Sequence, residues 1–263
     1  MQRTFRRPLV SLLACILIAY AALCALLYAA QRSLIYTPQA TRVPAASTDF
    51  ALVRERTTLR GWVVNPGRPD ALLYFGGNAE RIEAERERFA AWFPGRTAYL
   101  LAYRGYGASE GEPSEAALCA DAVALYDRVR QVSPGARIAA IGRSLGSGVA
   151  TCLAAERPLD RLALVTPFDS LAATAQSHYP WLPATLLIKD RYDSVRNLAR
   201  YQGPLLIVRA GRDEVIPARN TLRLIAAARR LAPTVVTLPG AGHNTIDDFA
   251  AYGEALTRFV SAP

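Results

Sequence analysis

Gly142-Arg143-Ser144-Leu145-Gly146 follows the apolar run Arg137-Ile138-Ala139-Ala140-Ile141 and opens onto Ser147-Gly148-Val149-Ala150-Thr151-Cys152-Leu153-Ala154-Ala155-Glu156, a good helix former. Strand, sharp glycine-flanked turn carrying a serine, then helix is the context that gives the G-x-S-x-G pattern its meaning. The reason is steric. In a strained strand-to-helix turn the neighbouring backbone comes so close that the positions two before and two after the serine must be nearly free of side chain. The serine hydroxyl is lifted clear of the sheet, and the next N–H, that of Leu145, is left free at a helix N-terminus.

Outward from this turn the chain alternates. Ala71-Leu72-Leu73-Tyr74-Phe75 is a continuous apolar run, expected as a strand buried on both faces, and it ends at Gly76-Gly77-Asn78. Further strands are expected over 97–103, 137–141, 161–166, 204–209 and 234–238, with helices over about 79–93, 113–132, 217–231 and 245–260. Residues 52–64 followed by Asn65-Pro66-Gly67 read as a β-hairpin. Strands alternating with helices imply an α/β protein with a mostly parallel central sheet covered by helices on both faces. Residues 31–263 are expected to form this one domain. Its exception is an insertion at about 167–197, rich in aromatics and prolines, which reads as a cap.

The first 30 residues set the class apart. From Leu9 to Ala30 there is no charged residue, and as a helix the stretch would reach about 33 Å, enough to cross a bilayer. A cleaved signal peptide is the rival reading, but its apolar run would be shorter and Tyr28-Ala29-Ala30 lacks a small residue at its first position. An uncleaved anchor is therefore expected over residues 1–30. Arg3, Arg6 and Arg7 precede the span and only Arg32 follows closely, so the positive-inside rule keeps the N-terminus in the cytoplasm. The rest of the chain would lie across the membrane, in the periplasm if the source is bacterial.

Charge excludes more than it suggests. The formal net charge is +9, but residues 1–48 hold five arginines and no acid. The remainder carries 26 basic against 22 acidic residues, a net of +4. No aromatic-interleaved basic patch or nucleic-acid motif is present, so no nucleic-acid partner is expected. Cys119 and Cys152 fall on two expected helices without the C-x-x-C or histidine spacing of a metal site. They read as small buried hydrophobes; in an oxidising compartment the alternative is a bridge. The glycines do not follow the dinucleotide spacing G-x-G-x-x-G, so neither a metal nor an organic cofactor is expected.

A serine nucleophile needs a base, and the base needs an orienting group. Of two histidines, His243 lies directly after the last expected strand, at the same sheet edge as Ser144, whereas His178 lies in the insertion. Asp213 follows the penultimate strand, with Glu214 as its fallback; Asp190, Asp193, Asp247 and Asp248 read as surface or capping acids. The chain order Ser144, Asp213, His243 is the order expected of this kind of hydrolase. Two backbone donors for an oxyanion are expected at Leu145 and at Asn78, the second on a glycine-rich exit from a strand into a helix N-terminus. Tyr179, Trp181 and Leu182 in the insertion are candidate acyl contacts, with simple packing on the sheet edge as the alternative.

This triad order, the loop Tyr103-Arg104-Gly105-Tyr106-Gly107-Ala108-Ser109-Glu110-Gly111 and the Gly-Gly-Asn-Ala turn resemble the α/β-hydrolase superfamily. Within it the chain most resembles the bud-emergence homologue group of single-span, membrane-anchored hydrolases, also described as serine-aminopeptidase-like. The resemblance covers essentially all of residues 31–260 and includes the anchor. It implies an α/β-hydrolase fold, the triad just named and an oxyanion hole at the Asn78 turn. One departure is visible: many relatives have His-Gly before the asparagine, where this chain has Gly76-Gly77. The expected activity is cleavage of an ester, thioester or related acyl bond in a small-molecule or lipid-like substrate. The alternatives are a peptidase or acyltransferase with the same triad, or a membrane-tethered interaction protein that keeps the fold without the chemistry.

Overall fold

The computed structural model describes residues 6–262; Arg3, invoked above for orientation, lies outside them. Helix α1 (Arg6–Ile35) precedes an eight-stranded sheet of β1 (Phe50–Arg54), β2 (Thr57–Val64), β3 (Asp70–Phe75), β4 (Arg96–Leu101), β5 (Ile138–Arg143), β6 (Leu162–Val165), β7 (Leu205–Ala210) and β8 (Thr234–Leu238). The spatial order is β1-β2-β4-β3-β5-β6-β7-β8. The first two strands pair antiparallel, as do β2 and β4, and every later pairing is parallel. Successive side chains of a strand face opposite ways, and all of Ala71 to Phe75 are buried, so helices cover both faces of β3.

The helices after α1 are α2 (Arg86–Trp92), α3 (Glu115–Val132), α4 (Leu145–Glu156), α5 (Leu171–His178), α6 (Ala184–Leu187), α7 (Ser194–Leu198), α8 (Ala218–Ala227) and α9 (Ala250–Ser261). The ends are written in the sequence. Ser114 and Ser170 cap α3 and α5 by accepting from the third N–H of each helix, and Asp193 does the same for α7. α2 and α9 meet where the Trp92 ring lies against Tyr252 and on Gly253, whose missing side chain leaves the space it fills. This is the α/β-hydrolase fold.

Several expectations need correction. The hairpin turn is at Glu55-Arg56, where Glu55 takes φ 57°, and not at Asn65-Pro66-Gly67. The latter turn leads β2 out of the sheet, because β3 pairs with β4 and β5 and not with β2. Glu55-Arg56 carries none of the usual turn residues, and local pattern does not say where a strand folds back on its neighbour. No helix begins at Ala79: residues 77–80 form a turn, Ile82–Glu85 a 3₁₀ segment, and only then does α2 start. The insertion contains α5, α6 and α7. α1 runs five residues past Ala30, so the first residues assigned to the domain are still part of the N-terminal helix.

Cys119 on α3 and Cys152 on α4 are bridged, with Cα atoms 5.7 Å apart, rather than being separate buried thiols. Residues 33 apart can be joined only once the helices pack, so spacing alone could not decide it. Closing a loop of this length stabilises a domain by about 3–4 kcal/mol on the chain-entropy account. Reduction is therefore expected to lower the denaturant midpoint of the wild type, and Cys119→Ser/Cys152→Ser to do so without reductant. A midpoint in the double variant that still responds to reductant would count against the bridge.

Candidate active site

Ser144 sits between β5 and α4 with φ 51° and ψ −117°, a backbone conformation that ordinary side chains avoid. Two close approaches explain the flanking glycines. A Cβ on Gly146 would lie 1.9 Å from the Phe75 carbonyl oxygen, and one on Gly142 would lie 2.3 Å from that of Gly146. α4 can begin against the backbone of β3 and β5 only because both side chains are absent. The Ser144 N–H donates to Val165 O at 2.9 Å, and its carbonyl accepts from both N–H and Oγ of Ser147. The strained turn is thus held from both sides.

His243 reaches Ser144 from the loop after β8. Its Nε2 lies 2.9 Å from Ser144 Oγ, while Nδ1 lies 2.9 and 3.0 Å from the two Asp213 carboxylate oxygens. A carboxylate only accepts, so Nδ1 carries the proton and Nε2 is left to accept from the serine hydroxyl. Asp213 is fixed in turn by the N–H groups of Val215 and Ile216 at 3.0 and 2.7 Å. Glu214, the fallback, takes a different position: it accepts the His243 backbone N–H at 3.1 Å. The two neighbouring acids divide the work of holding one histidine, Asp213 the ring and Glu214 the main chain.

Asn78 lines the cleft with Ser144, and Leu145 follows the serine in the chain. Leu145 is the first residue of α4, so its N–H has no carbonyl within the helix. The Gly77 N–H is occupied, donating to Glu80 Oε2 at 2.6 Å. Asn78 is held by its side chain: Nδ2 donates to Ile35 O at 2.6 Å, and Oδ1 accepts from Tyr106 Oη at 2.6 Å and Thr37 N at 3.3 Å. Tyr103 of the same loop as Tyr106 donates to Gly76 O at 2.8 Å. Ile35, Thr37 and Tyr106 are site-shaping residues that residue pattern did not single out, although the Tyr103–Gly111 loop was noted for its motif. The His-Gly departure also has a cause. A Cβ on Gly76 would meet Ile82 Cγ2 at 2.4 Å, so Ile82 occupies the room a side chain would need.

Beside the serine runs a chain of charges. Arg143, largely but not fully buried, lies 3.7 Å from Glu80 and 3.6 Å from Asp247, and Asp247 accepts from Arg88 at 2.9 Å. Burial works against the Arg143 charge, yet Glu80, Tyr74, Tyr252 and Asp247 around it raise its pKa and keep it ionised. Burial likewise works against the Asp247 carboxylate, but the Arg88 hydrogen bond and the Arg143 charge bring its pKa below the ordinary value. Asp247 is therefore no surface acid. Neither is Asp190, which accepts from Arg32 Nε at 3.0 Å and from Tyr36 Oη at 3.1 Å.

The cleft over the serine has a volume of about 270 Å³ and is lined by Gly77, Asn78, Arg143, Ser144, Val215 and His243, among others. Tyr179, Trp181 and Leu182 do not line it: Tyr179 and Trp181 are exposed, Leu182 is buried, and the Trp181 carbonyl meets Tyr20 of α1 instead. His178 leaves the relay to His243 and has its Nε2 2.8 Å from Val215 O. Among the described residues no group of three or more His, Cys, Asp or Glu could hold a metal.

Comparison with known proteins places this geometry in context. The family model of serine aminopeptidase, S33, matches residues 75–192. An uncharacterized protein of Mycobacterium tuberculosis is 38% identical over 234 residues, covering 85% of this chain and 83% of its own. An α/β hydrolase domain-containing protein of Caenorhabditis elegans is 32% identical over 163 residues, covering 60% of this chain and 47% of its own. Among solved structures, an esterase of Pyrococcus furiosus superposes with a TM-score of 0.64 at 17% identity, covering 86% of this chain and 95% of the esterase.

Two consequences can be measured. Gly146→Ala forces α4 off β3 and is expected to cost folded protein or several degrees of melting temperature; a variant as stable as wild type would refute the close approach. Asp247, with its lowered pKa, contributes stability present above the ordinary aspartate value near about pH 4 and lost as pH falls through the lower native value. Asp247→Asn is expected to flatten the acid limb of the stability–pH curve, read from urea midpoints between about pH 2 and 5.

Proposed function

The chain belongs to the α/β-hydrolase superfamily, among its serine-aminopeptidase-like members, and on that premise we propose that it is a membrane-anchored serine hydrolase of esters, thioesters or related acyl bonds. One observation carries the reading. Ser144 Oγ, the His243 ring and the Asp213 carboxylate form a continuous hydrogen-bonded series with each link between 2.9 and 3.0 Å. In this reading Ser144 Oγ attacks the acyl carbonyl as His243 Nε2 takes its proton, and Asp213 holds the imidazole and stabilises the cation. The oxyanion is met by the N–H groups of Leu145 and Asn78. Collapse expels the alcohol or thiol with the proton from His243. Water then attacks the acyl-enzyme, giving its proton to His243 and releasing the acid and free Ser144.

The same reading puts α1 in the membrane. α1 is long and apolar enough to cross a bilayer, and none of its most apolar window is buried against the domain. With the N-terminus in the cytoplasm, the hydrolase domain lies on the far side. The Cys119–Cys152 bridge supports that side independently, because disulfides persist in oxidising compartments. Retention of the helix is supported by Gln31, Arg32 and Tyr36, which bond to the insertion at Leu187, Lys189 and Asp190.

Fluorophosphonate labelling of the purified chain is the direct test. Labelling is expected in the wild type and in neither Ser144→Ala nor His243→Ala. On an activated ester, Asp213→Asn is expected to lower kcat by about 10⁴-fold, the effect of leaving a triad histidine in the wrong tautomer. Glu214→Gln, which touches only the backbone, should cost far less. Equal losses in the two would overturn the division of roles, and labelling that survives Ser144→Ala would overturn the nucleophile.

A further inference from the structure

α1 is docked along part of its length. Tyr20 Oη donates to Trp181 O at 2.8 Å, Gln31 Nε2 donates to Leu187 O at 3.1 Å, and Arg32 pairs with Asp190 at 3.0 Å. The stretch from Trp181 to Asp190 therefore lies beside α1 between Tyr20 and Arg32. Only the part before Tyr20 projects beyond it, about 21 Å of helix. That is too short. The hydrocarbon core is about 30 Å thick and takes about 20 helical residues. A span that begins after Arg6 and Arg7 must then run to about Leu27 and must include Tyr20. The rise from Tyr20 to Leu27 puts the level of Trp181 about 10 Å inside the far boundary of the hydrocarbon.

The insertion is built for that phase at the same level. From Leu171 to Ile188 it contains no Asp, Glu, Lys or Arg. Tyr179, Trp181 and Leu186 are 52%, 58% and 83% exposed. The carbonyls of its irregular stretch from Tyr179 to Leu182 find partners inside the protein. Gln176 Nε2 donates to the carbonyls of Tyr179, Pro180 and Leu182 at 3.3, 3.3 and 2.8 Å, and Tyr20 serves that of Trp181. Pro180 and Pro183 have no N–H to satisfy. Non-helical backbone within the hydrocarbon must find its partners inside the protein, whereas a loop in water has no such need. Along the chain the first charged residues come where the helix would leave the hydrocarbon: Lys189 Nζ lies 3.9 Å from the Tyr28 ring centroid, Arg32 pairs with Asp190, and Arg191 reaches back to donate to Thr185 O at 2.5 Å.

We propose that Tyr179–Leu187 is embedded beside α1 in the far leaflet, and that the Ser144 cleft takes acyl esters resident in that leaflet. The substrate half of this rests on the hydrolase and anchor readings above. Asn78 Nδ2 bonds the last carbonyl of α1, Ile35 O, which fixes the oxyanion turn about 12 Å beyond Leu27, within reach of the headgroup layer. The cleft, about 270 Å³, is smaller than the 300 Å³ or so that begins to enclose a drug-sized ligand. A long acyl chain remains outside it, in the lipid.

The test uses the full chain in phosphatidylcholine vesicles carrying lipid brominated at mid-chain. Tryptophan emission is expected to be quenched, and Trp181→Phe to remove most of the quenchable signal. Leu186→Glu is expected to leave hydrolysis of a water-soluble acetyl ester unchanged but to lower that of a vesicle-resident long-chain ester about tenfold, since a charge must enter the hydrocarbon. Trp181 quenched by aqueous acrylamide and not by brominated lipid, in vesicles that keep the chain through an alkaline carbonate wash, overturns the embedding while the anchor stands. Release of the chain by that wash overturns the anchor and the proposal with it. Failure of the wild type on both esters overturns the hydrolase reading and the substrate half, leaving the quenching result to decide the embedding.

Discussion

Everything at the site follows from how closely α4 approaches β3. The helix starts where a methyl group on Gly146 would overlap the Phe75 carbonyl, and that proximity sets where Ser144 can stand. It brings the start of α4, with Leu145, close to the end of β3, which leads into the Gly77–Asn78 turn. The strain in the Ser144 backbone persists because Val165 O, Ser147 and the packed helix over-determine it.

Electrostatics ties the same loops together. Glu80 follows the Gly77–Asn78 turn, Arg143 precedes Ser144 and Asp247 follows His243, and the three meet as one charged series. Glu80 also accepts the Gly77 N–H and the Tyr74 hydroxyl. Buried charges are costly unless paired and hydrogen-bonded on several sides, so such a series has little tolerance for alternative arrangements. The loops that carry Ser144, His243 and Asn78 are therefore positioned against one another as well as against the sheet.

The N-terminal helix is continuous with this construction. Its last carbonyl is bonded to Asn78, and its final turns are paired with Asp190 and Tyr192 through Arg32 and Tyr36. Tyr192 itself packs on the bare Gly148 of α4, one turn beyond the serine. A helix that looks in the sequence like a detachable tether thus shares hydrogen bonds with the turn beside Ser144. Its orientation relative to the cleft is fixed by side chains that belong to both.

Much of this was legible in the residues. Apolar runs of four to six, each followed by a helix-forming stretch, determined the parallel sheet, because a strand buried on both faces must be apolar throughout. The glycine-flanked serine and the scarcity of histidines placed Ser144, Asp213 and His243 at one sheet edge before any coordinate was known. Sequence could not choose between the turns at Glu55 and Asn65, since strand pairing is a relation between distant segments. Nor could it join Cys119 to Cys152, separate the roles of Asp213 and Glu214, or find Arg143 between Glu80 and Asp247. The sequence alone determined the periodicity, the strand–turn–helix around the serine and the apolar length of α1, all properties of neighbouring residues. Tertiary structure alone decided the charge series, the disulfide and the contact of α1 with the Asn78 turn, because each depends on distances that exist only after the sheet has brought remote loops together.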